Sequence, residues 1–280
     1  MTLSAITYSE LKNFLVGSLP TKERKAFLGF TIDSKNAKDL DDAIWIEPCD
    51  SGAIILIHVS DTTSLIPEKS QLEEKALKQI ETYYWAASTN PLFPNELSEN
   101  KLSLLEGHPR LTVTVKITLD KTANIKNTQL LSTSLISIKK FSYTAADKTL
   151  EDVSQPLSRM LRYCELWAQK LSQKRKYTGA FGQSTIQGIS LDEEGRLTET
   201  SVYRSQRIIQ EFMVLANTAI ANLAEQHKLS ILYRNHTCST IAPKNKLLIE
   251  TLVSLGLPKL IHQKLQNWLN SANYSPTVIS

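Results

Sequence analysis

Over the first part of the chain, apolar residues come in short alternating runs. Leu28, Phe30 and Ile32 mark one such run within Ala26 to Ile32. Two more, Ala43 to Glu47 and Ala53 to Val59, flank the turn Cys49-Asp50-Ser51-Gly52. Their β-branched content predicts three strands, the last two joined as a hairpin. Pro67 then opens the way to a helix, with Ser70 and Glu73 in a capping-box pattern and Leu72, Ala76 and Ile80 at helical spacing. Leu111, Val113, Val115 and Ile117 alternate with Thr and Lys, the signature of a half-buried strand. A turn at Asp120-Lys121 leads to a further strand around Gln129 to Ile138. Beyond that the period lengthens. Leu157, Leu161, Cys164, Ala168 and Leu171 share one helical face, as do Ile208, Phe212, Leu215, Ala219 and Leu223. A last helix is expected near Lys246 to Leu255, stopped by Gly256 with Pro258 just beyond. With strands first, helices later, and neither internal repeats nor low-complexity linkers, the pattern predicts an α+β fold. It forms one domain over 26–280 after an extension over 1–25.

Composition narrows this little. The chain has 280 residues and is 41% hydrophobic, enough for one large domain or two ordinary ones. A net charge of +4 permits a polyanionic partner without requiring one. Cys49, Cys164 and Cys238 are an odd set with no close pair and no metal-ligand spacing, which fits a reducing compartment. The first residues carry Glu10 and lack an unbroken apolar core, so they make a poor signal peptide. The stretch Ala53 to Val59 is too short to span a bilayer. A soluble cytoplasmic protein with no membrane partner is the expectation.

The sharpest chemical feature lies between the first two strands. Asp33, Asp39, Asp41 and Asp42 fall within the string TIDSKNAKDLDDA. Carboxylates this close repel one another and raise each other's pKa unless a cation neutralises them. Hard oxygen ligands of this kind suit Mg²⁺ or Mn²⁺, which also bind phosphate oxygens. A metal so held beside a phosphodiester activates a water and steadies the leaving oxygen. A solvated acidic turn is the general alternative, weakened here by the apolar strands on either side. A calcium EF-hand loop is set aside, because neither register supplies both its Gly and its Glu. Asp39-Leu40-Asp41 as an aspartyl-nucleophile motif is a weak signal.

The same string resembles the entrance to the catalytic domain of the ribonuclease II/ribonuclease R family, whose Asp-x5-Asp-x-Asp-Asp pattern holds Mg²⁺ at the scissile phosphate. All four aspartates match. IHVSDTTSLI, PLFPNELSENKLSLLEG, Arg110-Leu-Thr-Val, QRIIQEFMVLAN and LYRNH are similar to successive family motifs, covering roughly Thr31 to Leu257. The resemblance implies an RNB-type catalytic domain, with a mixed or antiparallel sheet surrounded by helices. The implied activity is that of a 3′→5′ exoribonuclease on single-stranded RNA, with Mg²⁺, or Mn²⁺ in its place, releasing nucleoside 5′-monophosphates.

Residue by residue, Tyr84 matches the family tyrosine that stacks on the 3′-terminal base. Phe181 falls at the aromatic that clamps the other side, and Tyr143 resembles a tyrosine implicated in preferring RNA over DNA. Stacking suits an enzyme that accepts every base. The family helix carries a Glu pair near the RNA, where this chain has Gln210 and Glu211; Gln still donates and accepts but brings no charge. Lys174-Arg175-Lys176 suits a phosphate backbone and equally a helix C-terminus. His58 and His236, beside apolar runs, read as structural.

Family domains continue into a Thr-Ser-Pro-Ile-Arg-Arg motif whose arginine grips the phosphate, whereas this sequence ends at NYSPTVIS, and the family's OB-type modules are not in it. Loss of such a donor costs about 2.7–4 kcal/mol of transition-state stabilisation. Two further readings therefore stand beside the enzyme: an RNA-binding module that grips ends without cutting, and a truncated remnant. A partner chain supplying the C-terminal part or the OB domains is a further expectation.

Overall fold

The computed structural model describes residues 24–84, 89–177, 189–191, 197–199, 203–235 and 273–275. The chain opens with strands β1 (Lys25–Asp33), β2 (Asp42–Cys49) and β3 (Gly52–Ser60), then helix α1 (Gln71–Gln79). The short strands β4 (Tyr83–Tyr84) and β5 (Thr89–Asn90) precede the long β6 (Pro109–Asp120) and β7 (Ile125–Ser142). After these come α2 (Tyr143–Glu151), α3 (Ser158–Tyr177), β8 (Ile189–Leu191), β9 (Leu197–Glu199), α4 (Arg204–Gln226), β10 (Tyr233–Asn235) and β11 (Asn273–Ser275).

The sheet closes on itself. β1, β2, β3, β6 and β7 pair antiparallel in that order, and β7 returns to lie parallel to β1, making a five-stranded barrel. Closure removes the sheet's edges, which otherwise expose unpaired backbone groups. It also explains why the alternation in β3 is imperfect. Ile55, Leu56, Ile57 and His58 are consecutive and all buried, because one face of the strand fills the barrel and the other is also covered. His58 is indeed structural. Its Nδ1 meets Thr114 Oγ1 at 2.7 Å, and a hydroxyl chain continues through Thr133 to Thr112. Burial holds its pKa down to about 4, so the ring is neutral at physiological pH. His236 lies outside the described residues.

The segment just after β3 is anchored by a buried ion pair. Arg24 Nη1 donates to Asp61 Oδ2 at 2.7 Å, and Asp61 is 4% exposed. The same carboxylate accepts from Thr63 Oγ1, Ser64 Oγ and Ser64 N, capping the short turn Thr62–Ser64. These donors hold the Asp61 carboxyl below its ordinary range despite its burial.

Among the described residues, the expected elements are present with four shifts. Ser70 caps α1 by accepting from Glu73 N, while the Glu73 carboxylate receives the Lys69 amide rather than that of the cap itself. Ile80 does not extend the apolar face of that helix. It sits at the C-cap with φ 73° and is 77% exposed, because α1 ends at Gln79. The strand expected around Gln129 to Ile138 runs from Ile125 to Ser142, and α2 follows without a break, since Ser142 caps it by accepting from Ala145 N. Leu157, at φ 65°, precedes α3 rather than joining it. The expected helix near Lys246 to Leu255 lies outside the described residues.

Asp147 of α2 accepts from Arg204 N and Ser205 N, satisfying two backbone donors at the start of α4. Arg204 in turn makes a two-pronged bond to Glu165 of α3 at 2.7 and 2.8 Å. Chain contacts define two compact units. Among the described residues, one unit runs through Lys174 and resumes up to Ala216, and the second holds 175–177 and the residues from Asn217 onward. Among the described residues, no helix is long and apolar enough to cross a membrane. Cys49 and Cys164 are free thiols, and Cys238 is not among the described residues.

Candidate active site

The four aspartates gather at one rim of the barrel. Asp33 ends β1, Asp42 opens β2, and Asp39 and Asp41 stand in the connecting loop. Leu40 sets their direction. It is 1% exposed and packs with Ala43, Leu104 and Leu135, so the loop is pulled inward between two residues that face the other way. All four carboxylates, with Tyr84, Pro91 and Glu99, line one open cleft of about 560 Å³.

The loop's backbone is held from two sides. Ser103, fully buried, donates its hydroxyl to Lys38 O at 2.6 Å and accepts from Leu40 N at 3.1 Å. Lys140 of β7 donates its ammonium to Ala37 O at 2.5 Å. Ser60 N also donates to Asp41 O at 3.0 Å. Neither Ser103 nor Lys140 was legible as a site residue. Ser103 lies in PLFPNELSENKLSLLEG, the stretch similar to a family motif, but that likeness assigned it no role.

The charges on this rim are poorly balanced. Burial, with the charges of Asp39 and Asp33, pushes the Asp41 carboxyl up to about 6; burial, with Asp33 and Asp41, does the same for Asp42. Asp33 is raised by burial and by Asp39, against the Ser34 amide and the Lys140 charge, which act to lower it. Hard carboxylate oxygens that destabilise one another in this way are the donor set that suits Mg²⁺ or Mn²⁺. As the side chains stand, no three acidic, His or Cys groups among the described residues converge on a common point. The fit therefore rests on donor chemistry and charge.

Tyr84 projects from β4 over the cleft. Its ring is 67% exposed, and its hydroxyl donates to Asp39 Oδ2 at 2.5 Å. That bond, with burial and the nearby carboxylates, pushes its pKa up to about 12. Gln79 positions the short hairpin by donating to Pro91 O at 2.9 Å and Asn90 O at 3.3 Å. Tyr143 reaches the cluster by a different route. The parallel register sets Asp33 beside Ser142, so Tyr143 starts α2 next to the end of β1. It is half-buried, stacked on Tyr203 with 15° between the rings, and its pKa is raised by burial and by Asp33 and Asp42.

None of the other expected RNA contacts is among the described residues that line this cleft. On α4, Gln210 is exposed and Glu211 is 3% exposed, and neither is among the described residues that line the cleft. Phe181 lies outside the described residues. Lys174 donates to Ala123 O and Asn124 Oδ1, which ties the end of α3 to the β6–β7 turn.

The family model described as the RNB domain matches residues 22–279. The chain belongs to the RNB-domain family. Its RNB domain is 29% identical over 217 residues to ribonuclease R of Thermotoga maritima, covering 74% of this chain and 31% of that protein. The chain thus spans about a third of the length of that curated relative. Among solved structures, the RNB domain matches Mycoplasma genitalium RNase R in complex with ribose-methylated single-stranded RNA, with a TM-score of 0.80 and 22% identity. The match covers 95% of this chain and 48% of that one. It also matches yeast Ssd1, described as a pseudonuclease, with a TM-score of 0.72 and 18% identity over 92% of this chain and 36% of that one. These likenesses establish the α+β RNB fold. The match begins at residue 22 and so takes in Arg24, whose guanidinium is bonded to Asp61.

Proposed function

We propose that this RNB domain is the catalytic core of a 3′→5′ exoribonuclease that hydrolyses single-stranded RNA to nucleoside 5′-monophosphates. The observation that carries the reading is the gathering of Asp33, Asp39, Asp41, Asp42 and Tyr84 on one cleft at the barrel rim. The four aspartates are the residues that would hold Mg²⁺, or Mn²⁺ in its place. Bound there, the ion supplies an activated water and charge compensation for an in-line displacement at phosphorus. Tyr84 offers an exposed ring face to the terminal base, and its bond to Asp39 fixes the distance between base platform and carboxylates. Tyr143, beside Asp33 and Asp42, meets the terminal ribose in this reading, with Phe181, Gln210 and Glu211 as the remaining RNA contacts. The test is incubation of a 5′-labelled single-stranded RNA with Mg²⁺ and folded protein. Stepwise shortening from the 3′ end is expected, and no shortening at high protein concentration overturns the proposal.

Two observations favour a second reading, a module that grips RNA ends without cutting. The carboxylates do not converge in threes as they stand, and the fold is shared with a pseudonuclease. Tight, salt-sensitive RNA binding without turnover in the same assay selects it. Because the chain spans about a third of its relative, the proposal includes further segments or a partner chain supplying OB-type modules and the arginine motif. A cytoplasmic setting is part of the same proposal and agrees with the free thiols of Cys49 and Cys164.

A further inference from the structure

We infer that Ser103 is the positioning residue of the carboxylate cluster, fixing the backbone on both sides of Asp39. The inference rests on the metal-holding role proposed above for the four aspartates. One hydroxyl makes both bonds. It donates to the carbonyl of Lys38, the residue before Asp39, and accepts from the amide of Leu40, the residue after. Leu104 N adds a bond to Leu40 O at 2.9 Å, so the chain after Asp39 is tied at two points. Ser103 is itself fastened. Its carbonyl accepts from Arg110 Nε at 3.0 Å, and the same guanidinium reaches Asn100 O and Asn100 Oδ1. Arg110 stands near the start of β6, inside the barrel ladder, so the chain of contacts runs from the rigid sheet to the loop.

A hydroxyl in this position does what a buried apolar residue cannot. Ser103 is 0% exposed and Leu40 1% exposed, so the Leu40 amide has no water to fall back on, and the Lys38 carbonyl, on an exposed residue, would lose its side-chain partner. Without the hydroxyl, the loop must shift to re-satisfy them, and Asp39 moves with it. Asp39 is also the carboxylate bonded to Tyr84, so one displacement disturbs both the metal donors and the base platform. Groups that orient metal ligands from behind typically govern metal affinity by about 10–100-fold.

The experiment measures Mn²⁺ and Mg²⁺ affinity directly, by isothermal titration calorimetry on the full chain, for wild type, Asp39→Asn, Ser103→Ala, Ser103→Thr and Tyr163→Phe. Tyr163 donates to Gly52 O near the β2–β3 turn and is the control for a hydrogen bond lost elsewhere. Expected is weakening of roughly 10–100-fold in Ser103→Ala, recovery of most of it in Ser103→Thr, and no change in Tyr163→Phe. If Ser103→Ala does not fold, Ser103→Cys replaces it, weakening both bonds with a slightly larger side chain. Wild-type affinity in a folded Ser103→Ala or Ser103→Cys overturns the inference while leaving the metal reading intact. Absence of binding in wild type, or undiminished binding in Asp39→Asn, overturns the metal reading instead.

Discussion

Replacing Asp41 by Asn removes one of four like charges while keeping the side chain's shape. Asp41 is the informative choice because it is solvent-exposed at the cleft, yet its carboxyl is pushed from an ordinary 3.8 up to about 6 by burial and by Asp39 and Asp33. At about 1.4 kcal/mol for each pH unit, that displacement corresponds to roughly 3 kcal/mol of ionisation cost in a fully buried site. Solvent screening of an exposed group reduces it to about 1 kcal/mol. The sign follows from linkage. A carboxyl whose folded pKa is raised gives stability that is fully present below 3.8 and is lost as pH rises through about 6. Without divalent ions near neutral pH, Asp41→Asn should therefore melt about 2–4 °C above wild type, and the gap should narrow on acidification toward about pH 4. Metal reverses the order. An ion at about 100 times its dissociation constant stabilises the folded state by about 2.7 kcal/mol, and the variant should lose most of that gain. Differential scanning fluorimetry in chelator and in a Mg²⁺ series reads both arms. A variant that is less stable than wild type in chelator, or that gains as much from Mg²⁺, would refute the electrostatic account of the cluster.

Three further outcomes follow from particular contacts. Tyr84→Phe should keep RNA binding within about twofold while freeing Asp39, whereas Tyr84→Ala should lose about 1–3 kcal/mol of binding to a short single strand, measured by fluorescence anisotropy in chelator. Asp61→Ala should cost about 3–5 kcal/mol in urea unfolding because it leaves Arg24 without its buried partner; a loss below about 1 kcal/mol counts against the anchoring role. Gly52→Ala should lower the unfolding midpoint markedly, since a Cβ there would lie 2.3 Å from Leu119 O at a φ of +156°; an unchanged midpoint would show that the β2–β3 turn yields easily.

Much of the site was legible in one dimension, because its core is local. Asp33, Asp39, Asp41 and Asp42 lie on one short loop between two strands marked by their apolar runs, whereas the inward turn of Leu40 is set by packing against Leu104 and Leu135. The strands and long helices were legible for the same reason, since hydrophobic period reports which face of an element is covered. That period does not report what lies alongside. The closure of β7 onto β1 places Tyr143 next to Asp33, although more than a hundred residues separate them in the chain. The bond from Tyr84 to Asp39 depends equally on how a distant hairpin is seated. Ser103 shows the limit most plainly. Its place in the motif-like stretch PLFPNELSENKLSLLEG assigned it no role, and its two bonds exist because folding carries it to the carboxylate loop, beside the buried Leu40 amide and the Lys38 carbonyl.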